Sequence, residues 1–300
     1  MQTIELNNVR KSYDQFVAVN NLSFSIEQGG VFGLLGPNGA GKTSTIRMMI
    51  GITAPDSGQI NLFGKPFARE SLNKVGYLPE ERGLYKKMKV IDQLVFLGEL
   101  HGMTAGNARL QATQWCKRLE IDAWLQKKVE ELSKGMQQKI QFIAALLHDP
   151  DFIIMDEPFF GLDPVNATLL KDVMLDLKKQ GKAILFSTHR MDQVEKLCDS
   201  ICLINKGNAV LQGDLKTIKS RYGKSNVQIE YEGNGDFLDK NPLVSAYNNY
   251  GNYVEVRLAP GADAQQLLQM VAARSRVNKF ELMEPSLEEI FINTVGKANA

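Results

Sequence analysis

Eight consecutive residues, Gly36-Pro37-Asn38-Gly39-Ala40-Gly41-Lys42-Thr43, have the types and spacing of a loop that grips phosphate. The glycines let the main chain curl until successive N–H groups point at one anion. Lys42 can then reach the β- and γ-phosphates of a nucleotide, and the Thr43 hydroxyl can ligate Mg²⁺. Ser44 stands beside them. A second chemical set closes the run Asp151-Phe152-Ile153-Ile154-Met155-Asp156-Glu157-Pro158. Adjacent carboxylates at the C-terminal end of an apolar strand can divide metal and proton duties. Asp156 suits the Mg²⁺ shell through water, and Glu157 suits a general base that polarises an attacking water.

Such residues need elements to hold them. The apolar residues 31–35 predict a strand and residues 44–50 a helix, the flanks that the phosphate-loop pattern requires. The helix would add its positive dipole end to the grip. Residues 152–155 read as a buried parallel strand. Residues 2–30 read as short antiparallel strands, alternating at 3–6 and 22–26, with a turn at Gly29-Gly30. Residues 72–150 read as helical in the main, one face marked by Ile91, Leu94, Val95, Leu97 and Leu100. A helix at 191–197, strands at 201–205 and 209–213 and a linker near Gly223 follow. The C-terminal segment reads strand (227–232), strand (253–258), helix (264–274), strand (278–283) and helix (287–294). Ser286 caps the last helix, with Glu288 and Glu289 in its first turn.

Composition narrows the partners. The chain is 300 residues long, 44% hydrophobic and 23% charged, normal for a globular protein. With 35 basic and 34 acidic residues, no global field draws it to nucleic acid or an anionic membrane. No window is apolar for long enough to span a bilayer, and residues 1–10 carry no signal-peptide pattern. A cytoplasmic location is expected, with any membrane role coming through a partner. The odd, sparse cysteines, Cys116, Cys198 and Cys202, suit a reducing compartment and read as buried thiols.

Between the two chemical sets lies Leu132-Ser133-Lys134-Gly135-Met136-Gln137-Gln138. With it the chain resembles the nucleotide-binding subunits of ATP-binding cassette (ABC) transporters, over nearly all of residues 1–215 and in family order. It looks most similar to bacterial exporter subunits of the sodium- and drug-extrusion kind, which carry a small C-terminal domain. The resemblance implies an α/β fold: a P-loop NTPase cassette with a mainly parallel central sheet, an antiparallel β subdomain and a helical subdomain at about 80–150, plus a small α+β C-terminal domain. The expected domains are 1–218 and 224–300.

The resemblance also implies roles. Tyr13, with Phe16 as the fallback, would stack on adenine. Glu80 sits where most members have a glutamine that contacts Mg²⁺ and the attacking water; local pairing with Arg82 is the alternative. Ser133 and Gly135 belong to the signature motif, and Asp163 to the loop that communicates across a dimer. His189, in Ser187-Thr188-His189, matches a switch histidine on the γ-phosphate. The signature departs from the usual Leu-Ser-Gly-Gly-Gln at Lys134 and Met136; a lysine opposes the helix dipole there, so it is expected close to the ATP presented by a partner subunit or to an acidic group near it, with a solvated lysine on the rim as the alternative. The expected cofactors are ATP and Mg²⁺. The expected partners are an integral membrane permease and a second nucleotide-binding subunit, identical or related, with the subunit peripheral on the inner face of the membrane. Residues 82–88 are the expected docking edge. An ATPase acting on ribosomes is the alternative; that class usually fuses two cassettes, and this chain has one.

Overall fold

The computed structural model describes residues 2–81, 83–223, 226–233 and 235–298. The chain divides into two compact units, Met1–Asp214 and Leu215–Ala300. In order, the first unit contains β1 (Gln2–Tyr13), β2 (Phe16–Glu27), β3 (Val31–Leu35), α1 (Lys42–Met49), β4 (Ser57–Leu62), β5 (Lys65–Pro66) and β6 (Val75–Leu78). It continues with α2 (Val90–Leu100), α3 (Ala105–Arg118), α4 (Lys134–Leu146), β7 (Phe152–Asp156), α5 (Pro164–Lys179), β8 (Ala183–Thr188), α6 (Met191–Leu197), β9 (Ser200–Asn205) and β10 (Asn208–Asp214).

The central sheet has six strands in the order β10-β9-β3-β8-β7-β6. Every neighbouring pair is parallel except β9–β10. Strands β3, β7 and β8 are buried at every position, because both faces of the sheet are covered; they therefore read as unbroken apolar runs. A second, antiparallel sheet runs β2-β1-β4-β5. The main core lies between the sheets, where Ile4, Leu6 and Phe24 meet Phe32, Leu34 and Ile154. The Phe24 and Phe32 rings stack at 4.9 Å.

Two readings need correction here, and a third, that 72–150 is helical in the main, holds with one strand added. Strands β1 and β2 run far beyond the alternating stretches 3–6 and 22–26. Asn8 and Asn21, both at φ +49°, sit where the β1–β2 register shifts, so alternation breaks while the ladder continues. The stretch 72–150 is not helical throughout: Val75–Leu78 forms β6, paired parallel with β7 at one edge of the central sheet. Of the cysteines, Cys116 and Cys202 are buried and Cys198 only partly so.

The second unit contains α7 (Leu215–Tyr222), β11 (Asn226–Glu232), β12 (Val244–Asn249), β13 (Val254–Leu258), α8 (Ala264–Ala272), β14 (Arg276–Met283) and α9 (Leu287–Ala298). Its antiparallel sheet, ordered β12-β13-β11-β14, buries Val227, Ile229, Val254 and Val256 against Leu267 and Val271. Helix α7 and strand β12 are additions to the elements read from the sequence.

Candidate functional site

The loop between β3 and α1 is held by main-chain contacts. Gly36 and Gly41 have φ of +150° and +114°. A Cβ at Gly36 would lie 2.2 Å from the Ile204 carbonyl oxygen, and one at Gly41 would lie 2.3 Å from that of Ala18. Only glycine allows both the conformation and the approach. The loop is also braced from behind. The Gly207 N–H donates to the Ala40 carbonyl (2.9 Å), and the Asn20 N–H donates to the Gly207 carbonyl (2.8 Å). Lys42 opens α1 with its side chain folded inward, Nζ donating to the carbonyls of Gly36 (2.8 Å) and Pro37 (3.2 Å). Burial pulls its pKa below the usual lysine value, against the pull of Glu157, Asp156 and Glu80.

A cleft of about 320 Å³ opens over this loop. Residues 38–44 line it, with Tyr13 and Phe16 on one side and Glu80, Asp156 and Glu157 on the other. Tyr13 and Phe16 face each other across the β1–β2 turn and are 39% and 61% exposed. Two solvent-exposed rings beside a phosphate loop can stack on a flat base.

The carboxylates owe their placement to strand register. Asp156 lies opposite Ser187 in the parallel β7–β8 pair. The Ser187 hydroxyl donates to Asp156 Oδ1, and the Thr43 hydroxyl donates to Oδ2 at 3.2 Å. Asp156 is 1% exposed, and burial raises its pKa despite those donors. Glu157 follows at φ +49°, its N–H donating to the Ser187 carbonyl at 3.1 Å. Its Oε1 accepts the His189 N–H at 3.0 Å and lies 2.8 Å from His189 Nδ1, while Oε2 accepts the Thr188 hydroxyl at 3.0 Å. An ionised carboxylate can only accept, so this contact puts the imidazole proton on Nδ1. Glu80, exposed beyond the end of β6, has its pKa raised by burial first and then by Asp156 and Glu157. Its suggested partner, Arg82, lies outside the described residues. The hydroxyls of Ser187 and Thr188 were not singled out from the sequence; two hydroxyls in tandem just before His189 are the signal that could have found them.

The remaining candidates form a separate group. Ser133 is the N-cap of α4, its hydroxyl accepting the Met136 N–H at 3.2 Å. Asp163 is the N-cap of α5; the Asn166 N–H donates to it at 2.9 Å and holds its pKa below the usual carboxylate value. The two helix starts are neighbours, since a Cβ at Gly135 would lie 3.5 Å from Leu162 Cδ2 and 3.9 Å from the Gly161 carbonyl oxygen. None of Ser133, Lys134, Gly135 and Asp163 lines the cleft of Lys42. Ser133 and Lys134 are exposed, and Lys134 has no ion-pair partner among the described residues.

An ABC transporter family model matches residues 19–160. A model described as the C-terminal domain of DrrA1-3-like ATP-binding proteins matches residues 213–295. The ABC transporter ATP-binding protein YhaQ of Bacillus subtilis (strain 168) is 46% identical, with 98% of each chain covered. The chain belongs to the ATP-binding subunits of ABC transporters. The linearmycin resistance ATP-binding protein LnrL of Bacillus subtilis (strain 168) is 31% identical, again with 98% of each chain covered. Nod factor export ATP-binding protein I of Paraburkholderia xenovorans (strain LB400) is 40% identical over 70% of each chain. A solved ATP-binding subunit of an ABC transporter superposes with TM-score 0.69 at 28% identity, covering 74% of this chain and 93% of its own. ABC subunits of this kind bind and hydrolyse ATP and work with membrane permease components. Among the described residues of this subunit, no helix is long and apolar enough to cross a membrane.

Proposed function

We propose that this ABC subunit powers an exporter, hydrolysing ATP at two composite sites formed by a pair of such subunits. The observation that carries the reading is the division of the candidate residues. Lys42, Thr43, Asp156 and Glu157 share one cleft, whereas Ser133, Gly135 and Asp163 cap helices that stay outside it. A second copy, identical or related, would bring its Ser133–Gly135 helix start over the triphosphate, adding backbone donors and a positive dipole end. Tyr13 or Phe16 stacks on adenine. Main-chain N–H groups of the loop from Gly36 to Thr43, Ser44 among its neighbours, cradle the phosphates. Glu157 accepts the proton of the attacking water. His189, turning from Glu157, meets the γ-phosphate. Lys134 stands at the first turn of α4, where no acidic side chain offsets it, so the partner's ATP is its natural counter-charge.

The cleft fits Mg²⁺ on chemical grounds. It offers hard oxygen donors in Thr43, Asp156 and Glu80, and three carboxylates face one lysine before any phosphate arrives. When bound, the cation would neutralise charge on the phosphoryl oxygens. Glu80, replacing an amide with a charge, makes nucleotide binding more dependent on that cation.

The permease contact is assigned to an apolar groove bounded by Leu72, Tyr77, Pro79, Leu84 and Leu97. Buried Gln141 also lines it, with its Oε1 unpartnered. Leu84 belongs to the expected docking edge, and Tyr85 beside it is 55% exposed. Docking there would hold the subunit at the cytoplasmic face of the membrane. The names of LnrL and of the Nod factor export protein support an organic, drug-like cargo over sodium. Replacing Glu157 by Gln tests the central claim: turnover should vanish while ATP-driven dimerisation persists. Ordinary turnover by that variant would refute the general-base assignment.

A further inference from the structure

Glu157 sits in an unusual setting. Its backbone is left-handed, and its carboxylate receives donors on both oxygens, among the described residues from Thr188 at the end of β8 and from His189 just after it. The donors are unequal. Among the described residues, Oε1 is engaged by His189 alone, through its N–H and Nδ1. Oε2 is engaged by Thr188. Thr188 is 1% exposed, so no bulk water competes for its hydroxyl. That hydroxyl also accepts the Arg190 N–H at 3.1 Å. A hydroxyl that accepts from one side has its own proton directed to the other. The Arg190 N–H therefore fixes the rotor, and the fixed proton points at Oε2.

We propose that Thr188 is a positioning residue for ATP hydrolysis, holding Oε2 of Glu157 so that Oε1 becomes the proton acceptor when the His189 ring leaves it. The proposal rests on the general-base reading of Glu157 and assigns separate duties to its two oxygens. In the resting arrangement both oxygens are occupied. Once the imidazole turns to the γ-phosphate, Oε1 keeps the His189 main-chain N–H but loses its ring partner, and the freed lone pair is open to water. Oε2 keeps its donor, so the carboxylate plane does not swing with the histidine. The proton of the attacking water then passes to Oε1 as the water oxygen bonds to the γ-phosphorus and the bond to the ADP oxygen breaks. Other charged groups facing the carboxylate are Lys42 from α1, Asp156 from β7 and Glu80 beyond β6. None of them donates a hydrogen bond to either oxygen among the described residues.

The test compares Thr188→Val, Thr188→Ser and Glu157→Gln in the full chain, by steady-state ATPase with Mg²⁺ and by equilibrium ATP binding. Valine keeps the shape and removes the donor. A hydrogen bond to a charged group is worth enough that kcat should fall about tenfold to a hundredfold. KM and ATP affinity should stay within about twofold, because the lost contact matters after binding. Serine should restore most of kcat, which a purely steric role for the threonine methyl would not allow. If Thr188→Val melts below the assay temperature, Thr188→Ala reads the same comparison. The proposal is overturned if the valine variant keeps wild-type kcat, if serine is as impaired as valine, or if KM moves and kcat does not. A Glu157→Gln variant with ordinary turnover sinks the general-base reading itself. Loss of turnover in Glu157→Gln beside a normal Thr188→Val sinks only the role of Thr188.

Discussion

Replacing Gly41 by alanine should cost far more than the same change two residues earlier, and the structure gives the size of the gap. Both glycines have positive φ, +79° at Gly39 and +114° at Gly41. At Gly39 an added Cβ meets nothing within 4 Å, so only the conformational penalty applies, about 1–2 kcal/mol. At Gly41 the same atom would lie 2.3 Å from the Ala18 carbonyl oxygen, well inside the 3.4 Å at which ordinary contact begins. Backbone must give way, adding about 1–3 kcal/mol of overpacking to a strain of about 1–3 kcal/mol, so the expected loss at Gly41 is about 2–6 kcal/mol. Ala18 lies in β2, and the β1–β2 hairpin carries Tyr13 and Phe16, so the displaced strand should also move the rings that flank the cleft. ATP affinity should fall at least about tenfold for Gly41→Ala and by less than about threefold for Gly39→Ala. The two tryptophans, Trp115 and Trp124, both lie in the first unit, so their fluorescence in a urea titration reports on that unit. Calorimetric ATP titration supplies the affinities. Equal stability and equal affinity for the two variants would refute the claim that the hairpin is seated on the phosphate loop.

Other expectations follow from single contacts. Ser187→Ala removes a donor from buried Asp156 and should cost about 1.5–3 kcal/mol while the carboxylate is ionised. Burial raises the folded value of Asp156, so the cost should shrink as acidification protonates it; urea titrations giving the same loss throughout the acid limb would contradict this. His148 stacks on His101 at 3.8 Å, and burial depresses its pKa from 6.5 to about 4. The unfolded chain then binds the proton first, so this residue removes stability as pH falls from 6.5 to about 4, by about 1–2 kcal/mol once solvent screening of the half-exposed ring is allowed for. His148→Phe should flatten that acid limb, and a melting profile as steep as wild type would exclude it as the source. Lys134→Gly should raise the apparent KM for ATP about threefold to tenfold, if the lysine meets the partner's nucleotide; steady-state kinetics indistinguishable from wild type would return it to solvent.

Much of the site was legible because its parts are local. The phosphate loop and the Asp156-Glu157 pair each sit within eight residues, beside strands whose burial on both faces leaves plain apolar runs. What escaped notice depends on distance or on weak pattern. The grip of Ser187 and Thr188 on two carboxylates 31 residues earlier exists only through the β7–β8 register. Strand β12 is largely exposed and lies at a sheet edge, so nothing in Val244–Asn249 had to alternate. Helix α7 buries only Leu215 and Ile218 of its eight residues, too few for a helical stripe to show beside Gly223. Strand β6, four residues long at the other edge of the central sheet, was submerged in a helical neighbourhood.

The brace behind the phosphate loop carries a kinetic consequence. Ala40 is tied through Gly207 to Asn20 by amide–carbonyl links, with no side chain in the relay. The nucleotide therefore enters a rigid mould and orders little of the chain on arrival, which spares it most of the entropy that a floppy loop would forfeit. Substitutions elsewhere around the cleft should leave the rate of capture nearly constant and change the residence time of the ligand instead.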